Sequence, residues 1–388
     1  MTTRAYKGLS PAVLAARVAG MIGDPVLRLR FLKVMKVSPP RKSGRRFRVW
    51  IVWPALLLAV MVFFLAKHAA GKPEASRVAM DRAEPPEIRV VAQPASVWQV
   101  EKGAGSEVYS NGLRIDTRFE VASHARSYLA FPSRQADSRV SVRRSMPAGI
   151  VFHTTESPQA PFEARETSVL ERLGESLLDY VRRKGAYHYL IDRFGRVYRV
   201  VAETDAANHA GYSVWADDNW LYLNLNESFL GVSFEAQTPG GQSNDLVSPA
   251  QVRSAGMLTE MLRSIYQIPA ENCVTHAQVS VNPSNMQMGY HTDWTTGFPF
   301  AAIGLPDNYG HALPSLWIFG FEYDPGLYGS PDRRISAGVS VAEQDFLQAA
   351  AAAGLEPAAY RKVLQQRYRE YLAEVRHGGQ GQSEEGDK

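Results

Sequence analysis

The chain has 388 residues, 45% hydrophobic and 21% charged, proportions of a folded globular protein that exclude global disorder. Its net charge of +4 is unevenly placed: residues 1–48 hold 12 Lys and Arg against one acid, Asp24, while the remainder holds 31 basic and 38 acidic groups. A mildly acidic body argues against a nucleic-acid partner, and a lone cysteine, Cys273, rules out an intramolecular disulfide.

Residues 1–48 read as a basic cytoplasmic segment, with a helical stretch over 9–37 opened by Ser10-Pro11 and ended by Pro39-Pro40. Residues 49–66, VWIVWPALLLAVMVFFLA, carry no charge; at about 1.5 Å per residue they would form roughly 27 Å of helix, near the thickness of a bilayer core. Five basic residues (Arg41, Lys42, Arg45, Arg46 and Arg48) precede this run, so the positive-inside rule predicts a single-pass anchor with the body on the outer side. Residues 67–97 lack periodicity and read as a linker.

Residues 98–145 hold short alternating runs such as GLRIDTRFEV and form a strand-rich lead-in. From 146 to 315, strand and helix signals alternate. GIVFH is a short buried strand, and Ser168-Val-Leu-Glu171 is a capping box ahead of Leu170, Leu173, Leu177, Leu178 and Val181 at helical spacing. YHYLIDRFGRVYRVV is a hairpin turning at Gly195, and LGVSFEAQ is another strand. Ser248-Pro249 opens a helix, and NCVTH is a further strand. The pattern predicts an α/β fold, a central mixed sheet flanked by helices.

Residues 316–376 form a helical extension: Ser340-Val-Ala-Glu343 caps one helix, Gly354 stops it, and Pro357 begins the next. The tail, 377–388, has the composition of a disordered segment. Trp215, Trp220 and Tyr222 read as a packed surface loop or a sugar-binding wall, and Asp217 and Asp218 as solvated loop charges. Cys273 and His188 read as buried core residues.

Three residues at or after strand ends stand out as metal ligands: His153 in GIVFHTTES, His276 in VTHAQVS and Asp293 in GYHTDW. Two imidazoles and a carboxylate suit four-coordinate zinc with one exchangeable position, and zinc chemistry suits amide hydrolysis. The separations, 123 and 17 residues, form no compact motif. His291 lies one residue from Asp293's neighbour and could take the third position instead.

The ordered run GIVFHTTES, YHYLIDRFGRVYRVV, NHAGYS, NLNESFLGVSFE, a capped helix, VTHAQV and HTDWTTGFPF resembles the type 2 N-acetylmuramoyl-L-alanine amidases, the family that includes peptidoglycan recognition proteins. The resemblance covers about residues 146–302. It implies a zinc-dependent hydrolase of the bond between N-acetylmuramic acid and L-alanine, acting on peptidoglycan or muropeptides; the predicted anchor would put it at a bacterial inner membrane, facing the periplasm or cell wall. It further implies His153, His276 and Asp293 as zinc ligands, Glu235 as the residue positioning or deprotonating water, Tyr187 beside the metal, His291 stabilising the oxyanion, and His209 lining the substrate groove. A non-catalytic peptidoglycan receptor is the alternative. Two departures accompany the resemblance: a long segment between His276 and Asp293, and DWTTGFPF where the family has an Asp-Pro-Gly turn.

Overall fold

Short runs of β-branched and aromatic residues, punctuated by glycine and asparagine, build twelve principal strands. The computed structural model describes residues 95–133, 141–238, 247–330 and 333–380, which belong to one unit, Ile88–Lys388. In chain order the strands are β1 (Gln99–Lys102), β2 (Ser106–Tyr109), β3 (Arg114–Asp116), β4 (Tyr128–Pro132), β5 (Val142–Arg144) and β6 (Gly149–Thr154). They continue with β7 (Tyr189–Ile191), β8 (Val197–Arg199), β9 (Val214–Ala216), β10 (Trp220–Leu223), β11 (Phe229–Phe234) and β12 (Cys273–Thr275). Four long helices accompany them: α1 (Thr167–Lys184), α2 (Pro249–Tyr266), α3 (Ser336–Ala352) and α4 (Pro357–Gln380).

The central sheet has eight strands in the order β1-β2-β3-β8-β7-β11-β6-β12. It is mixed, as predicted. Strands β7, β11, β6 and the edge strand β12 run parallel, whereas β7 and β8 form an antiparallel hairpin through Gly195, whose φ of 80° needs a residue without Cβ. Ile150, Phe152, Leu230, Val232 and Phe234 pack with Ala255, Leu258, Met261 and Leu262 of α2. Leu177, Leu178 and Val181 of α1 pack with Leu190 and Val200. Because strand side chains alternate, residues 151 and 153 of β6 face away from the α2 layer.

The lead-in residues do more than precede the domain: β1, β2 and β3 extend the central sheet, β3 pairing in parallel with β8. A second, four-stranded antiparallel sheet, β5-β4-β10-β9, was not foreseen. It corrects the reading of Trp215, Trp220 and Tyr222 as a loop, since they lie on β9 and β10, with Trp215 and Tyr222 buried. Asp217 is likewise no solvated charge. Its carboxylate accepts from the backbone N–H groups of Asn219 and Trp220 and from the Tyr222 hydroxyl. Phe131 of β4 meets Tyr371 of α4 at 4.7 Å between ring centres, which ties the C-terminal helices to this sheet.

Two predicted caps are displaced. A 3-10 turn, Ala164–Glu166, leads directly into α1, so Ser168 sits inside the first turn rather than capping it. Helix α3 begins at Ser336, and the Ser340 hydroxyl donates back to the Ser336 carbonyl. The Ser248 cap is as predicted: Gln251 N–H donates to Ser248 Oγ while Gln251 Oε1 accepts from Ser248 N–H. Helix α4 runs to Gln380, past the predicted start of the disordered tail.

Among the described residues no helix is long and apolar enough to cross a membrane. The predicted cytoplasmic segment 1–48, the span 49–66 and the linker up to residue 94 lie outside the described residues.

Behind β7 and β11 lie two buried basic groups. Arg126, 2% exposed, has no carboxylate partner among the described residues and donates to the carbonyls of Glu203, Glu227 and Asp205. Burial lowers its pKa to about 10, which leaves it charged at neutral pH. His188 accepts the Gly231 N–H at Nδ1, 2.9 Å, and its Nε2 faces the Asp205 carbonyl at 3.1 Å. Burial first, and the Arg126 charge second, hold this imidazole well below its ordinary pKa.

Two predictions follow from the packing. A Cβ at Gly149 would lie 2.1 Å from the Phe229 ring and 2.5 Å from the Asn272 carbonyl oxygen, so Gly149→Ala should cost on the order of 3 kcal/mol in urea unfolding; a loss below ~0.5 kcal/mol would contradict this packing. His188 stays neutral when folded but takes up a proton when unfolded below about pH 6.5. The unfolded state then binds more protons, so stability should fall as pH drops below that value, by up to ~1.4 kcal/mol per pH unit for this group. Measured with chelator present, His188→Gln should lose that increment of slope; equal slopes would refute it.

Candidate metal centre

The parallel strands deliver the site to one edge of the sheet. His153 is the penultimate residue of β6, and His276 directly follows β12, opening a short helical turn, His276–Val279. That turn carries its own capping box, Thr275 with Gln278, which fixes where the His276 backbone leaves the strand. Since β12 pairs with β6, the two histidines arrive side by side, with ring centres 4.3 Å apart.

Asp293 comes from farther along. The long segment after His276 folds back as a two-stranded hairpin, Val281–Asn282 with Gln287–Met288. Gly289 N–H then donates to the Ser280 carbonyl, and Ala277 N–H donates to the Asp293 carbonyl. Beyond it, Trp294, Phe298 and Phe300 enter the core beside Phe152 and Phe234. The aromatic sequence DWTTGFPF thereby anchors the loop by packing where the family uses a tight turn.

His153, His276 and Asp293 offer ligand atoms that all lie within 4.8 Å of one another, and all three residues are buried. His153 Nδ1 is 3.5 Å from Asp293 Oδ2, and His276 Nδ1 is 2.9 Å from Oδ1. Thr154 N–H also donates to Oδ2, 3.3 Å. Burial opposes the charge on Asp293, yet the imidazoles of His276 and His153 hold its carboxyl well below the usual range. Burial, reinforced by His276, lowers His153 to about 4. His276 Nε2 is buried with no hydrogen-bond partner. Two neutral-capable imidazoles, one ionised carboxylate and an orphaned ring nitrogen are the donor set that a zinc ion takes.

The surrounding residues fall in different places. Tyr187, with φ of 60°, stacks obliquely on His153 at 5.1 Å, and burial raises its pKa so that the hydroxyl remains a donor. The His291 ring stacks on His276, 4.7 Å away and 22° from parallel, while its backbone N–H donates to Ser280 Oγ. Asp293, and not His291, completes the buried trio. His209 packs behind His153, with its Nδ1 3.1 Å from His153 Nε2.

Glu235 lies two residues beyond Ser233 on the same face. Its carboxylate accepts from Arg193 N–H, 3.1 Å, and rests against Gly174 of α1; burial raises its pKa. The residue in register with His153 is Ser233, fully buried, with its hydroxyl beside the Tyr187 phenol. Sequence reasoning passed over Ser233. The signal available was its place two before Glu235 in GVSFE, one strand repeat nearer the histidine.

Residues 143–293 match the N-acetylmuramoyl-L-alanine amidase family. No curated protein matches the chain. Solved structures similar to it include AmpDh3 from Pseudomonas aeruginosa with an anhydromuramic pentapeptide, at 20% identity and TM-score 0.30, covering 43% of this chain and 62% of that one. The chain thus spans less than two thirds of AmpDh3. The E. coli amidase AmiD, with an anhydro-N-acetylmuramic acid tripeptide, is similar at 21% identity and TM-score 0.33, covering 70% of this chain and 97% of AmiD. Citrobacter freundii AmpD is similar at 21% identity and TM-score 0.25, covering 47% and 90%. The family match ends on Asp293 and encloses His153 and His276, so the segment 143–293 is similar to the N-acetylmuramoyl-L-alanine amidase family over the whole of the buried trio.

Proposed function

We propose that the protein is a zinc-dependent N-acetylmuramoyl-L-alanine amidase acting on peptidoglycan or its muropeptide fragments. The observation that carries this reading is the buried trio His153, His276 and Asp293 inside the family match. Zinc held there would supply Lewis acidity and a nucleophilic water near neutral pH. The other steps fall to the chain's own side chains. Tyr187, kept protonated by burial, can donate to the oxygen of the amide carbonyl as charge develops on it. His291, stacked on His276, would donate to the same oxygen.

Glu235 has the raised pKa expected of a proton acceptor, yet its carboxylate is tied to Arg193 N–H. We assign it a supporting part, holding the β7–β8 hairpin against the end of β11. Ser233 occupies the nearer register position and carries no charge. That observation favours a second reading: a peptidoglycan receptor that binds in the same groove and cleaves slowly or not at all. The anchor predicted over 49–66 would hold either activity at the outer face of the cytoplasmic membrane, in wall remodelling or recycling.

The full chain, solubilised in detergent and loaded with zinc, should release free stem peptide from purified muropeptide, with the mass expected of cleavage before L-alanine. Chelator and His153→Ala should each abolish release, by at least 10²-fold. Binding of muropeptide without cleavage would establish the receptor instead. Glu235→Gln should lower kcat less than 10-fold; a drop beyond 10²-fold, with zinc affinity unchanged, would make Glu235 the base.

A further inference from the structure

An imidazole can offer a metal only the nitrogen that carries no proton, so something must decide which nitrogen of His153 that is. The hydrogen bonds behind the ring make the decision. His209 Nε2 lies 3.2 Å from the Phe229 carbonyl oxygen, which can only accept. Nε2 of His209 therefore carries the hydrogen, and in the neutral ring its Nδ1 is an acceptor. That Nδ1 is 3.1 Å from His153 Nε2, a closer acceptor than the Asp293 carboxylate 3.5 Å from His153 Nδ1, and it draws the His153 hydrogen to Nε2. What remains is His153 Nδ1, the atom 3.5 Å from Asp293 Oδ2.

We propose that His209 is a positioning residue that locks His153 in its Nε2–H tautomer and so presents Nδ1 to the metal. His209 then acts through His153 and needs no contact with substrate. This deepens the zinc reading of the same site and rests on it for its biological meaning.

The surroundings of His209 are built to hold that ring still. Its backbone N–H and those of Ala210 and Gly211 all donate to Asn226 Oδ1, at 2.8, 2.7 and 2.8 Å. The ring lies over Gly231 of β11, where a Cβ would come within 2.6 Å of His209 Cγ. His188 closes the far side, its ring centre 5.7 Å away. A groove-lining residue that met ligand through its imidazole would need a free ring nitrogen. Both nitrogens of His209 are already engaged, one by a backbone carbonyl and one by His153.

The test uses the full chain in detergent, labelled with 15N at histidine, stripped of metal, with the His153 signals assigned by their loss in His153→Gln. In the wild type, His153 should show a protonated Nε2 and an unprotonated Nδ1. His209→Ala should mix the two His153 tautomers and weaken zinc binding, read by competition with a chelator, by 10- to 100-fold. His209→Asn, whose Oδ1 can accept from His153 Nε2–H, should restore the tautomer and most of the affinity. Thermal unfolding of the metal-free variants shows whether each still folds; if the alanine variant does not, the asparagine variant and the wild-type tautomer decide. A hydrogen found on Nδ1 of wild-type His153, or an alanine variant with unchanged tautomer and zinc affinity, would overturn the proposal. A wild type with the expected tautomer but no zinc affinity would defeat the zinc reading and leave the tautomer lock standing.

Discussion

A carboxylate removed from water is the constraint around which this molecule is arranged. Asp293 is 7% exposed, and desolvating an ion of this kind costs several kcal/mol unless its charge is met nearby. One backbone N–H and two imidazoles meet it here. Burial keeps His153 from supplying a full positive charge of its own. The trio is thus compensated in part, which is the electrostatic condition under which a divalent cation binds well. Everything nearby keeps the three groups from moving apart. The capped turn at His276 sets one side, the β6–β11 register sets another, and three core aromatics clamp the loop that delivers Asp293.

The same logic extends behind the trio. Polar side chains in the layer beneath find backbone carbonyls in place of opposite charges: Arg126 those of Glu203, Glu227 and Asp205, and His209 that of Phe229. Carbonyl partners do not titrate. A support layer made this way keeps its hydrogen-bond directions across a wide range of conditions, whereas carboxylate partners would change with pH and compete with Asp293 for any cation.

Much of this was legible in the sequence because local chemistry spoke for it. The Ser248-Pro249 start, the Gly195 turn and the apolar run before His153 each declare an element without outside help. The buried trio was legible only through the order of several weak motifs, since nothing in spacings of 123 and 17 residues reveals that β12 lies beside β6. The second sheet was hidden for a related reason. Strands of three to five residues, drawn from two stretches some seventy residues apart, carry too little periodicity to separate from a packed loop. The misplaced cap at Ser168 shows the opposite failure: a good local motif overruled by a 3-10 turn that begins the helix earlier. Glu235 and Ser233 differ by one strand repeat, and only the pairing of β11 with β6 distinguishes which of them stands beside the histidine.

The membership of β1, β2 and β3 in the central sheet changes what counts as the unit of inheritance. The family segment begins at residue 143, yet β8 inside it is paired along its outer side by β3, and β3 in turn by β2. A fragment cut at the family boundary would bare a row of unmatched N–H and C=O groups along β8, an invitation to stick to its own kind. Gene fusions or minimal versions built from such a chain would therefore have to begin near residue 95. The lead-in strands thus stand guard over the open side of the sheet that carries the family segment.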